Sequence, residues 1–370
     1  MRLAAACLPL LLLAVACGGK EETPVATVKT EAIEATVSDE LPGLPAAATG
    51  IAFWRHPALS FNSTMVVATG AGIISYNMED GNEVSRIDGF NATGVAVSYH
   101  GFGAQAAGFI AFLDTAESTF RFYGVDNNTR AFLPLDAGPV VRGAVRGYCM
   151  GRGISVSAPS LYVIQNSKVQ VFNLTASDAG VAVDSEATIA TPDNLVSCAI
   201  DLDGRLIVAA DDGRIYRLSG EDAFSAPFAQ AALSAVGDLV IIPASSTEDA
   251  ADVSAVIVLS DRADGTLHVF DQADGTALGS VKFVATDDLP GVDGADTFGA
   301  TGDNLGGLYR NGVMAFGVNG AEGGPSIRIA PTSSLKNALS LPIGEPVSPR
   351  GEAREPEDDG LIIPIHIDQN

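Results

Sequence analysis

The sequence predicts an all-β protein, a six-bladed β-propeller, and three observations lead there. Glycine is abundant (40 of 370 residues), only 18% of residues are charged, and no long stretch places apolar residues at i, i+3, i+4 and i+7 as a helix would. Val196 to Leu218 reads as three short strands joined at Asp203-Gly204 and Asp212-Gly213. Each pair offers a residue that tolerates positive φ followed by one without a Cβ, as two-residue hairpin turns require. The same grammar returns at Met65–Tyr76, Gly108–Tyr123, Leu161–Phe172, Ala255–Phe270 and Val313–Ile329. With Leu206–Tyr216 this gives about six units at a period of about 45 to 55 residues, the range in which four-stranded blades repeat. A β-sandwich, or two packed β domains, is the competing arrangement.

Taken in order, residues 1–16 (MRLAAACLPLLLLAVA) combine a basic residue, an apolar run too short to span a bilayer and a small-residue end, the pattern of an export signal. AVAC followed by Gly18-Gly19 resembles a bacterial lipobox, so Cys17 is the expected lipidation site; an ordinary secretory signal is the alternative. The protein is then exported and held on a membrane by acyl chains, at the outer membrane or periplasmic face. Residues 17–48, rich in Pro, Thr, Ala and Glu, read as a flexible acidic tether. Residues 49–348 form the propeller, with Ser333–Leu341 as its best short helix. Residues 349–370 are an acidic tail in which Leu361–Ile367 is a candidate terminal strand, confined to an edge by Pro364.

With 45 acidic residues against 21 basic ones, the net charge is −24. That argues against nucleic acid and against docking on anionic lipid, and it suits a surface that gathers divalent cations. Of four cysteines, Cys7 leaves with the signal and Cys17 would be acylated. Cys149 and Cys198 remain, either as a disulfide, which export permits, or as buried thiols of two inner strands. The four histidines are scattered, and no CxxC, HxH, HExxH or GxSxG occurs, which leaves zinc and serine-elbow chemistry unsupported. Gly101–Gly108 and Gly299–Gly307 are glycine-rich without a following Lys-Ser/Thr, and read as blade connections rather than phosphate loops.

From Ile51 to Leu335 the chain resembles the β-propeller phytases, calcium-dependent phosphatases of inositol hexakisphosphate. IAFWRHPALSFNSTMVVATGAGIISYNMEDGNEVSRI (Ile51–Ile87) is similar to the opening blade of that family, and FNATGVAVSYHGF (Phe90–Phe102) to the stretch that follows it. RGYCMGRGISVSAPSLYVIQNSKVQVFNL (Arg146–Leu174), Val196–Leu218 and VDGADTFGATGDNLGGLYRNGVMAFGVNG (Val292–Gly320) resemble later blades in the same order. The resemblance implies a monomeric propeller. It also implies a channel mouth where carboxylates hold several Ca²⁺ ions that activate water, with Lys and Arg on the phosphate.

At the matching positions the chemistry has changed. The acidic pair falls at Thr49-Gly50. An Asp and an Arg fall at Ala96 and Ser98, two Glu at Val196 and Ala210, and an Asp at Asn319. Asp211, Asp293 and Asp296 are the carboxylates left for Ca²⁺, and Lys168, displaced from the position near Gln165, is the remaining phosphate contact. Ordinary turn chemistry beside a glycine is the leading alternative for Asp211 and Asp293. Three functions compete: a degenerate phytase-like propeller that binds a phosphorylated small molecule or an envelope protein, an active Ca²⁺-dependent phosphomonoesterase, and an assembly or lactonase-like module.

Overall fold

The computed structural model describes residues 31–101, 106–151, 159–177, 180–192, 194–201, 203–220, 223–243, 255–320 and 324–342. Two strands, β1 (Ile33–Thr36) and β2 (Asp39–Leu41), come first. Blade one is β3 (Ala48–Trp54), β4 (Thr64–Thr69), β5 (Gly72–Asn77) and β6 (Glu83–Asp88). Blade two is β7 (Ala92–Ser98), β8 (Ala106–Asp114), β9 (Thr119–Asp126) and β10 (Phe132–Val140). Blade three is β11 (Gly147–Met150), β12 (Ser160–Gln165), β13 (Lys168–Ser177) and β14 (Gly180–Ala190). Blade four is β15 (Leu195–Ile200), β16 (Leu206–Ala210), β17 (Arg214–Ser219) and β18 (Ala223–Phe224), with β19 (Ala229–Gln230) also on β17. Blade five is β20 (Val236–Pro243), β21 (Ala255–Asp261), β22 (Leu267–Asp271) and β23 (Ala277–Val284). Blade six is β24 (Thr297–Thr301), β25 (Val313–Gly320) and β26 (Gly324–Pro331), followed by α1 (Thr332–Ala338).

Each blade is an antiparallel meander, and its burial follows its place in the ring. Second strands such as β4 and β16 are buried along their whole length because a neighbouring blade covers each face, whereas outer strands such as β6 and β14 are largely exposed. The continuous apolar runs MVVA and LIVAA are therefore second strands. Six apolar clusters fill the six seams. Met65, Val67, Leu305 and Val313 join blades six and one, and Val66, Ile73, Ile110 and Phe112 join blades one and two. Successive inner strands abut one another, and β24 abuts β3, so the ring is closed.

Closure corrects the reading of residues 31–48 as part of a tether, while residues 17–30 of that reading lie outside the described residues. β2 pairs with β26 as the outer strand of blade six, and β1 adds a parallel fifth strand to blade five on β23. Val37 between them is 4% exposed, packed with Phe283, Phe298 and Phe316. Last blades left without an outer strand would expose an unpaired edge, and chain ends are recruited to cover such edges. Single-residue periodicity could not reveal a partner about three hundred residues away. The Asp-Gly sites do turn the chain, but over longer loops than two residues: Asp201 accepts from the amides of Asp203 and Arg205, and Gly213 donates to Ala210, with both glycines at φ +80°. Gly299–Thr301 lies in β24 rather than in a connection. The signal, Cys17 and the tail from residue 349 lie outside the described residues.

Candidate functional site

The six inner strands β3, β7, β11, β15, β20 and β24 surround a central channel, a cavity of about 1110 Å³. A recurring irregularity shapes one mouth. In four inner strands the ladder to the second strand shifts register close to the strand's start: at Ala48/Gly50, Thr93/Ala96, Leu195/Ser197 and Val236/Leu239. A bulge bends its strand and re-aims a side chain. Thr49, Val95, Val196 and Asp238, which sit at these shifts, all line the channel.

The wall is narrow because glycines let the strands approach. A Cβ on Gly50 would lie 2.4 Å from Cα of Gly94, one on Gly147 2.4 Å from the Val196 carbonyl oxygen, and one on Gly299 2.5 Å from that of Ile51. Tyr148 lies over Gly94 and donates to the Thr93 carbonyl at 2.9 Å, tying blade three to blade two. Burial pushes its phenol pKa far up, so this hydroxyl stays a donor. Cys149 in β11 and Cys198 in β15 form a disulfide across the seam between blades three and four, Cα to Cα 5.7 Å. Of the two alternatives left open by the sequence, the structure has the bridge.

Sequence reasoning missed Asp238. Its carboxylate accepts from the Phe298 amide at 2.7 Å and from the Thr297 hydroxyl at 3.1 Å. Burial pushes its pKa up against those bonds and the opposing pull of Arg262. The only signal was a lone Asp within an apolar strand, GDLVIIP. A carboxyl whose folded pKa is raised stabilises the fold fully below its unfolded value and loses that contribution as pH rises through the folded value. Asp238→Asn keeps an acceptor for Phe298 and removes the buried charge. Its thermal stability relative to the parent is expected to improve steadily from acid toward neutral pH, a trend differential scanning calorimetry would measure; a pH-independent difference would contradict it.

The residues expected to bind calcium do not converge. Asp211 pairs with Arg146 at 3.6 Å, Asp293 is exposed and faces Lys282 at 3.7 Å, and Asp296 accepts from the side-chain amide of Asn319. Among the described residues no three of His, Cys, Asp and Glu compose a metal ligand set. Ca²⁺ wants six to eight oxygens and several negative charges, and carboxylates each engaged by a cation or amide do not fit it. Lys168 sits at the β12–β13 turn, opposite Gln165, whose side-chain amide donates to the Arg142 carbonyl. It does not line the channel. Thr49, Gly50, Ala96 and Val196 do line it, whereas Ser98 and Ala210 are fully buried in the blades.

The fold and its channel define a six-bladed β-propeller. No family model and no curated protein matches the chain. Among solved structures, it is similar to U3-55K at 15% identity over 80% of this chain and 99% of that one, with a TM-score of 0.47. A structural-genomics protein of unknown function from Bacteroides thetaiotaomicron gives 13%, 81%, 74% and 0.47, and Kluyveromyces lactis Hsv2 gives 12%, 74%, 70% and 0.39. Likeness at this level carries nothing about function.

Proposed function

We propose that this protein is an exported, lipid-anchored propeller that binds a small ligand in its channel without hydrolysing it, a degenerate relative of the β-propeller phytases. One observation carries the reading. The positions at which a phytase-like site would concentrate charge, Thr49, Gly50, Ala96 and Val196, line the channel with small uncharged groups. A cavity of about 1110 Å³ walled by apolar and polar side chains in nearly equal part, Arg146, Arg262, Asp238 and Asp296 among them, has the size of a small-ligand site and the polar groups to orient its occupant. Phosphate-ester hydrolysis needs stabilisation of developing negative charge, and losing one such contact typically costs about a hundredfold or more in rate.

Purified protein is therefore expected to release essentially no phosphate from inositol hexakisphosphate at any Ca²⁺ concentration. Robust Ca²⁺-dependent release, abolished by Asp293→Ala, would overturn the reading and restore the phosphomonoesterase.

Anchoring has its own test. The full-length protein is expected to partition into the detergent phase, and Cys17→Ser to be released or left unprocessed. Wild-type protein found wholly in the soluble periplasmic fraction would refute it.

A further inference from the structure

Two short 3-10 turns stand side by side at the end of the ring where the inner strands finish. Ser60–Asn62 follows β3 and Gly307–Tyr309 follows β24. They touch: a Cβ on Gly306 would lie 2.9 Å from Cα of Phe61. Between them they hold three of the large apolar side chains most open to water among the described residues, Leu59 at 43%, Phe61 at 45% and Leu308 at 78% exposure. The base beneath is firm, since Leu305, Tyr309, Met65 and Met78 are buried in the seam between blades six and one. His56 fixes the first turn: its Nδ1 accepts from the amides of Ala58 and Leu59 at 3.1 and 2.9 Å, and its Nε2 bonds the Asn127 carbonyl at 2.9 Å. Gly306 and Gly307, at φ +86° and +47°, set the second.

Apolar groups held rigidly outward on adjoining turns are a contact surface in want of an apolar partner. Local charge narrows the choice. In a chain of net charge −24, the segments Trp54–Thr64 and Asn304–Met314 contain no Asp or Glu, and they carry Arg55 and Arg310.

We propose that these two turns are a membrane-contact element that inserts Leu59, Phe61 and Leu308 shallowly among the headgroups of a zwitterionic phospholipid surface. This rests on the anchoring reading above. The fifteen residues from Gly18 to Ala32 separate the acyl site from β1, and fully extended they reach roughly 50 Å. The anchored ring therefore stays close to the bilayer, where small protruding apolar tips gain by shallow burial. The negative charge of the whole ring opposes anionic surfaces, so the contact depends on apolar insertion and is insensitive to salt.

The test uses intact protein recovered in membranes. An environment-sensitive fluorophore is placed at Leu308→Cys and, as control, at Asp293→Cys near the start of β24, since Cys149 and Cys198 are bridged. The label at 308 is expected to shift to the blue and to be quenched at least fivefold more by lipid-borne quencher than the label at 293, in high salt as in low. Equal exposure of both labels to water would overturn the proposal. A shielded label at 308 that lipid quencher does not reach, in a particle of doubled mass, would show that a second copy covers the turns and would also overturn it. Should the protein prove soluble, only the anchoring reading falls. The same labels in a Cys7→Ser, Cys17→Ser chain mixed with phosphatidylcholine vesicles then decide the contact by the same criteria.

Discussion

Deleting the chain through Leu41 is expected to abolish cooperative folding of the ring. The deletion strips the outer strand from blade six and the parallel fifth strand from blade five, and it removes Val37 from the core those blades share. Two sheet edges are then open, one of them beside an apolar seam, a combination that favours aggregation over folding. A point substitution separates loss of pairing from loss of packing: Val37→Asp leaves both strands in place but buries a charge at a 4% exposed position. It is expected to cost about 3 kcal/mol or more. Chemical denaturation followed by circular dichroism would measure both, and a truncated protein that unfolds in a single transition at the parental midpoint would show that the ring closes without these strands.

Gly50→Ala is expected to be nearly as damaging, although it adds one methyl group. That methyl would lie 2.4 Å from Cα of Gly94 and 2.6 Å from the Val95 nitrogen, backbone atoms of the next inner strand that cannot rotate away. Relief requires the two strands to part, and the loss is expected to be about 3 kcal/mol. Gly204→Ala is the control. Gly204 has φ +80°, and a methyl added there would meet nothing within 4 Å, so only conformational strain of about 1 kcal/mol is added. Equal losses at the two sites would mean that the narrow wall does not depend on Gly50.

The blades were legible because each second strand, buried on both faces, writes a continuous apolar run such as Leu206–Ala210 or Met65–Ala68 that local reading detects. Closure was not, since β1 and β2 are short, largely polar strands whose identity comes from distant partners. The channel wall was partly legible. Matching positions picked out Thr49, Ala96 and Val196, which do line the cavity, but they could not disclose Asp238, whose importance comes from the Phe298 amide and Thr297 hydroxyl of a neighbouring blade. Asp211, Asp293 and Asp296 are close to glycines in sequence as turn acids are. Their partners, Arg146, Lys282 and Asn319, become visible only once the strands are stacked.

The pairing of Asp39–Leu41 with Ile327–Ile329 also sets an order of events during synthesis. Blades one to four can form from contiguous chain as it emerges. Blade six has no outer strand until the segment ending at Pro331 meets a piece of chain made about 290 residues earlier. The cost of joining such distant segments grows only slowly with their separation, but it must be met before the last contacts are gained. Until then, the faces of β3 and β4 that await Val313 and Ala315 stay uncovered. Delivery of the whole chain across a membrane in unfolded form would bring both ends of the ring into the same compartment together, so that closure is the final step of folding rather than an obstacle to it.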